Sequence, residues 1–179
     1  MNDARCTMAS PVQRTRLRRS YCTLYIVHST VTLLRTTSDN ADFRALVSQL
    51  DSHLADVNGD DHGFYNQFNG IVSLNHAVVA YLDNVPVGCG AFKPFDSEAV
   101  EIKRMYVDPA RRGQGIGQRV LVELERWAGE LGYQRCVLET SVKLVSANHL
   151  YARSGYVPIP KYGPYVDMPD SVCFQKRMA

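Results

Sequence analysis

Apolar residues recur along this chain in two rhythms, and the switches between them mark out its elements. Residues 30–35 are β-branched and Leu-rich and predict a first strand. Ser38 or Asp39 is then placed to cap a helix whose apolar positions Phe43, Leu46, Val47, Leu50 and Leu54 share one face, with Asn58, Gly59, Asp60 and Asp61 closing it. A short second helix is expected over 62–69. Segments 77–82 and 85–92 flank Asp83-Asn84 and predict an antiparallel hairpin with a tight turn. Segment 99–107 reads as a further strand, broken by Asp108-Pro109. From Ile116 onward Val120, Leu121, Leu124, Trp127, Ala128 and Leu131 form the stripe of a long helix, with Gly132 where a C-terminal cap belongs. Segment 135–140 is a short apolar strand, 147–154 a short helix stopped by Gly155, and 156–159 and 171–176 supply the last strands. Strands with helices between them and hairpins at both ends give an α+β (mixed α/β) class, as one domain over 31–179.

One irregularity in this pattern carries information. Val100 and Ile102 alternate as strand residues do, but the next apolar positions are Met105 and Val107, a slip of one. A slip of that kind is what a β-bulge produces, and a bulge frees backbone N–H groups from the ladder.

Composition changes the picture at one end of the chain only. Residues 1–30 hold Arg5, Arg14, Arg16, Arg18 and Arg19 against a single acid, Asp3. The remaining 15 basic and 17 acidic side chains give the body a net charge of −2, so it lacks the positive excess that nucleic-acid binding requires. The Arg-, Ser- and Thr-rich start has the composition of an organellar transit peptide, of a disordered extension, or of a stretch upstream of the true start; a disordered basic extension is the expectation adopted. No run is apolar enough to cross a membrane. Cys6, Cys22, Cys89, Cys136 and Cys173 are widely spaced with no Cys-x-x-Cys, which points to reduced thiols, a cytoplasmic setting and no zinc site. His28, His53, His62, His76 and His149 likewise show no metal spacing.

The loop Arg111-Arg112-Gly113-Gln114-Gly115-Ile116-Gly117 joins a strand to the long helix. Alternating glycines let the backbone bend so that successive N–H groups converge, and the helix start adds unpaired donors and the positive end of its dipole. Such a concavity suits a pyrophosphate. A P-loop would need Gly-Lys-Ser/Thr at the helix start, but the chain continues Gly117-Gln118-Arg119. The dinucleotide spacing Gly-x-Gly-x-x-Gly fails from Gly113, where Gln118 takes the last place, and from Gly115, where Val120 does.

Arg112-x-x-Gly115-x-Gly117 matches the Gln/Arg-x-x-Gly-x-Gly/Ala signature of the GNAT (GCN5-related N-acetyltransferase) superfamily, and Ala147-x-x-Leu150-Tyr151-x-x-x-Gly155-Tyr156 resembles its second motif. The resemblance extends over about 31–179. It implies a mixed sheet of about seven strands splayed at its centre, with acetyl-CoA held in the opening by Met105, Tyr106, Val107, Arg112, Gly113, Gln114, Gly115, Ile116 and Gly117. It implies acetyl transfer to a primary amine of a small molecule or peptide, by direct attack in a ternary complex, in a monomer or homodimer without nucleic-acid or membrane partners. A non-catalytic acyl-CoA-binding module of the same fold is the alternative. Many members carry Asn seven residues before the helix Tyr; here that position is Leu144, and Asn148 faces another side of the helix.

Amine acetylation needs a base for the ammonium, polarisation of the thioester carbonyl and a proton for the departing sulfur. Glu101 precedes Arg112 by eleven residues, the offset of the catalytic Glu in the family's histone-modifying branch, so it is the expected base; otherwise it is a strand carboxylate paired with Lys103 or Arg104. Tyr151 stands where the family's proton-donating Tyr stands; its alternative is core packing. Backbone N–H groups of Met105, Tyr106 and Val107 are expected to polarise the carbonyl. Cys89 and Cys136 lie within apolar strands and read as buried structural thiols. Asp60, Asp61, Tyr162 and Tyr165 could attract and stack a cationic acceptor.

Overall fold

The computed structural model describes residues 30–59, 63 and 74–178. The expected basic extension, Asp60, Asp61 and all but Gly63 of the expected second helix lie outside those residues. Seven strands form one sheet in the order β1-β2-β3-β4-β5-β7-β6. Strands β1 (Val31–Thr36), β2 (His76–Leu82), β3 (Val85–Pro94) and β4 (Ala99–Val107) form an antiparallel meander. Helix α2 (Ile116–Glu130) crosses over to β5 (Arg135–Ser141), which pairs parallel to β4. Helix α3 (Val145–Arg153) leads to β6 (Val157–Ile159), and β7 (Ser171–Arg177) inserts antiparallel between β5 and β6.

Both faces of the sheet are covered, which explains the near-continuous apolar run of β2. Its Ala77 and Val79 face helix α1 (Ala41–Asn58), packing with Phe43, Leu46, Val47 and Leu50. Its Val78, Ala80 and Leu82 face α2, packing with Ile116, Val120, Leu121, Leu124 and Ala128. Arg35 of β1 ties the sheet edge to α2 through Glu123 at 2.7 Å and Glu130, with its guanidinium 4.9 Å from the Trp127 ring.

Punctuation follows local chemistry. Asp83 and Asn84 both take positive φ, 51° and 65°, as the tight hairpin turn requires. Helices α2 and α3 end alike: Gly132 and Gly155 turn left-handed, and Tyr133 and Tyr156 donate back to Ala128 and Tyr151. The cap of α1 differs from expectation. Asn40, not Ser38 or Asp39, accepts from the Phe43 N–H at 2.9 Å. Ser38 is drawn away because its own N–H bonds the Leu74 carbonyl at 2.8 Å. Helix α3 starts at Val145, two residues before the periodicity suggested.

The bulge lies where the apolar phase slips. Cys89 pairs with Tyr106 and Ala91 with Lys103, so Gly90 alone faces both Arg104 and Met105. Arg104 adopts φ 59°, unusual for a side chain of its size. A Cβ on Gly90 would meet Met105 Sδ at 2.5 Å, Leu124 Cδ1 at 2.8 Å and Val120 Cγ1 at 3.0 Å. The bulged strand and α2 thus close over a position with no room for a methyl group. Gly90→Ala should destabilise the fold by about 1–3 kcal/mol, as overpacking does. Gly129→Ala in the open part of α2, where none of the described residues lies within 4 Å, should be neutral or stabilising by about 0.5–1 kcal/mol. Thermal unfolding of the two variants side by side checks this; equal stability of both would refute the close packing at Gly90.

Candidate functional site

Strands β4 and β5 pair through only three positions, Ala99, Val100 and Glu101 against Arg135, Cys136 and Val137. Beyond Glu101 they diverge, while β4 stays attached to β3 and β5 to β7. The gap opens into a cavity of about 400 Å³ lined by Met105, Tyr106 and Val107 on one side and Leu144, Ala147, Leu150 and Tyr151 on the other.

The glycine loop forms the mouth of this cavity. Asp108 accepts from the Ala110 N–H at 2.9 Å and starts a short 3-10 turn over Pro109–Arg111. Gly113 and Gly115 follow with φ 78° and 74°, a backbone that favours glycine, and none of the described residues lies within 4 Å of where their side chains would point. Helix α2 begins at once, and among the described residues no side chain caps it. Its first N–H groups therefore have neither an intrahelical acceptor nor a capping side chain. Gly117 allows that first turn to approach Leu150 and Val107, both 3.4 Å from its would-be Cβ. Arg112 folds back to donate to the Val107 carbonyl at 3.2 Å.

The cavity gathers Met105, Tyr106, Val107, Arg112, Gly113, Gly115, Ile116, Gly117 and Tyr151 of the expected set. Gln114 is not on the lining; it is exposed, and Gln118, in the first turn of α2, takes a place there instead. His53 of α1 and His149 of α3 also line the cavity, on no motif signal. Asn148 does not turn inward: its amide donates to the carbonyls of Ser141 and Leu144 at 2.8 and 2.9 Å, which secures the junction of β5 and α3. Tyr151 is 5% exposed, with its ring against Tyr156 and Phe174. Its hydroxyl makes no hydrogen bond among the described residues. Burial, then the charge of Glu139, pushes its pKa up, which keeps the phenol protonated.

A second, smaller chamber of about 110 Å³ adjoins the first and shares Tyr151, Met105 and Leu144 with it. Lys103, Arg104 and Glu139 supply its charges. Glu101 lines neither chamber. It is buried on the α1-facing side of β4, where its carboxylate meets Lys93 at 3.1 Å and Lys103 at 3.4 Å and accepts from the Tyr162 hydroxyl at 3.2 Å. The expected open base at the mouth of the splay is thus an enclosed ion-pair centre, because β3 and the 160–170 loop bring partners to it. Tyr162 and Tyr165, which the sequence offered as groups that could stack an acceptor, are engaged within the protein: Tyr162 donates to Glu101 and Tyr165 accepts from Lys103 at 3.0 Å. Sequence reasoning missed Glu139. Its signal was an acid within the apolar run of β5, meaningful only once the strand opposite is known.

The thiols behave as expected of core residues. Burial pushes Cys89 and Cys136 each up to about 12, so neither is a ready nucleophile at neutral pH. Among the described residues no His, Cys, Asp and Glu cluster suits a metal ion, and no helix is long and apolar enough to cross a membrane.

Known proteins share this architecture. An IAA acetyltransferase of Azospirillum brasilense is 31% identical over 136 residues, 74% of this chain and 88% of that relative. A Klebsiella pneumoniae structure, described as a candidate acyl-CoA N-acyltransferase, superposes with TM-score 0.70 at 28% identity over 84% of this chain and 99% of that one. A GNAT family acetyltransferase of Elizabethkingia anophelis with acetyl-CoA bound shares the fold at TM-score 0.62 and 19% identity, over 83% of this chain and 98% of that one. The family model for GNAT acetyltransferases matches residues 44–156. With its two motifs, its splayed seven-stranded sheet and these relatives, the chain belongs to the acetyltransferase (GNAT) family.

Proposed function

We propose that this protein transfers the acetyl group of acetyl-CoA to a primary amine of a small molecule or peptide, by direct attack while both substrates are bound. The observation that carries this reading is the cavity in the splay, with an uncapped helix start at one end and a buried, protonated tyrosine at the other. Acetyl-CoA supplies an activated acetyl thioester. The residues present fit it: Gly113 and Gly115 leave open space beside the first turn of α2, whose N–H groups and dipole favour a pyrophosphate, and Arg111 and Arg112 add positive charge at the mouth. Relatives of the same fold with acetyl-CoA or coenzyme A bound support the assignment.

Each remaining role falls to a group lining the cavity. Met105, Tyr106 and Val107 lie past the point where β4 loses β5, so N–H groups on that edge are available to a carbonyl oxygen. Tyr151 holds its proton in an apolar wall and gives it to the departing sulfur. A covalent acyl-cysteine route is disfavoured by the raised pKa of both Cys89 and Cys136, and direct attack is the simpler course. Glu101 acts at one remove, fixing Lys103 against the second chamber.

Two outcomes test this. Gly117→Glu places a carboxylate at the start of α2, where it competes with an anionic ligand. Acetyl-CoA affinity should fall at least ~10-fold by calorimetry, about 1.4 kcal/mol, in a variant that circular dichroism shows to be folded. Unchanged affinity in a folded variant would remove the pyrophosphate from this loop. Tyr151→Phe deletes one oxygen that bonds nothing among the described residues, so stability and acetyl-CoA affinity should hold. kcat should nonetheless fall roughly 10²-fold if the phenol is the acid. Loss of stability without loss of kcat would make Tyr151 a packing residue.

A further inference from the structure

We propose that Glu139 is the group that receives the proton of the acceptor amine; this rests on the acetyltransferase reading above. The argument begins with the smaller chamber, where the splay opens toward the α1 side of the sheet. Four titratable side chains line it: Lys103, Arg104, Glu139 and Tyr151. Lys103 and Arg104 carry donors and no acceptor atom, and burial holds the proton on Tyr151. Glu139 is the one titratable group on that lining, among the described residues, that can take up a proton.

Its setting suits the task. Ser171 of β7 donates to Oε1 at 2.6 Å, which fixes the carboxylate, while Oε2 has no hydrogen-bond partner among the described residues. The side chain stands two residues beyond the last paired position of β5, as Lys103 does on β4, so the two face each other across the opening. Apolar walls from Leu50, Leu54, Leu144 and Ala147 enclose them. The charged and polar neighbours are Lys103 and Glu101 from β4, Tyr151 from α3, and Ser171 and Cys173 from β7. Burial pushes Glu139 upward, and Glu101 adds to this; the Ser171 bond and Lys103 oppose it, with burial prevailing. A carboxylate with its pKa raised toward neutrality is a better proton acceptor than an ordinary one.

The proton count closes. An ammonium entering the chamber loses one proton as its N–H bond breaks and an O–H bond forms on Glu139, leaving the electron pair on nitrogen. Glu139 later releases that proton to solvent. As the nitrogen–carbon bond forms and the carbon–sulfur bond breaks, Tyr151 gives its proton to the sulfur and is restored by the second proton shed from nitrogen. The sum is one amide, one thiol and one proton released.

The test uses the full chain and an isosteric variant, since Gln at 139 still accepts from Ser171. Carboxyl titration by ¹³C NMR, with the Glu139 signal assigned by its loss in Glu139→Gln, should give a midpoint above that of an ordinary glutamate; a midpoint within the ordinary range overturns the proposal. With an amine that the wild type acetylates, Glu139→Gln should lower kcat/KM about 10²-fold at neutral pH. The deficit should shrink as pH approaches the amine's own pKa, near ~10, where free amine no longer needs a base. Glu139→Asp, which keeps a carboxylate, should retain the shape of the wild-type profile. A profile for folded Glu139→Gln parallel to wild type, or the same pH-dependent deficit in Glu101→Gln instead, overturns the assignment. A wild type that acetylates no amine counts against the transferase reading, and the NMR titration still judges Glu139 by itself.

Discussion

The site depends on one break in backbone pairing. Strand β4 keeps β3 along its length but holds β5 for only three residues. A central strand normally satisfies its N–H and C=O groups on both edges, and a buried group left unpaired costs free energy. The bulge at Arg104 and Met105 is the local device at this break: it turns the strand and adds a residue while the β3 ladder resumes beyond it. Its cost is visible. Arg104 takes a left-handed backbone worth roughly 1–2 kcal/mol in a non-glycine residue, and its buried Nε has no partner among the described residues. Offsetting that, Arg104 pairs with Asp51 of α1 at 2.5 Å and its carbonyl lies 3.5 Å from Cys89 Sγ. Helix α1 is therefore part of what holds the splay in shape.

From that break the rest of the site follows by geometry. Divergence of β4 and β5 leaves an opening that α3 covers from β5 and the start of α2 borders from β4. Gly117 permits the close approach of the two helices beside Val107 and Leu150. One end of the cavity is then rich in donors and positive dipole, and the middle is apolar. Tyr151, pressed against Tyr156 and Phe174, brings a hydroxyl into that apolar middle without a hydrogen bond to any of the described residues.

What could be read in the sequence was what local chemistry decides. The slip between Ile102 and Met105 located the bulge, the alternating glycines located the loop, and Gly132 and Gly155 marked two helix ends, because each needs only its neighbours to be understood. The α1 cap was misplaced because Ser38 is claimed by Leu74, distant in sequence. Glu101 was placed by its offset from the glycine loop, yet its surroundings come from Lys93 on the adjacent strand and Tyr162 from a loop 61 residues away. Tyr162 and Tyr165 read as free loop aromatics because nothing local shows that they fold over β4. Gln114 and Gln118 illustrate a smaller limit: a motif gives the loop, but the handedness of its turns decides which side chains face inward.

The two acids flanking the splay show how little residue type alone says about role. Glu101 and Glu139 lie on neighbouring strands, both substantially buried and both within reach of Lys103 electrostatically. They differ in what surrounds their oxygens. Glu101 meets two ammonium groups and a phenol, so its charge is compensated and its oxygens are occupied. Glu139 meets one hydroxyl and lines a chamber shared with Lys103, Arg104 and apolar side chains. In a low-dielectric setting the compensated acid is a structural anchor, while the under-compensated one gains stabilisation from any cation that enters beside it. An ammonium is such a cation. In the proposed reaction the incoming ammonium meets Glu139 on a lining that it shares with the cations Lys103 and Arg104.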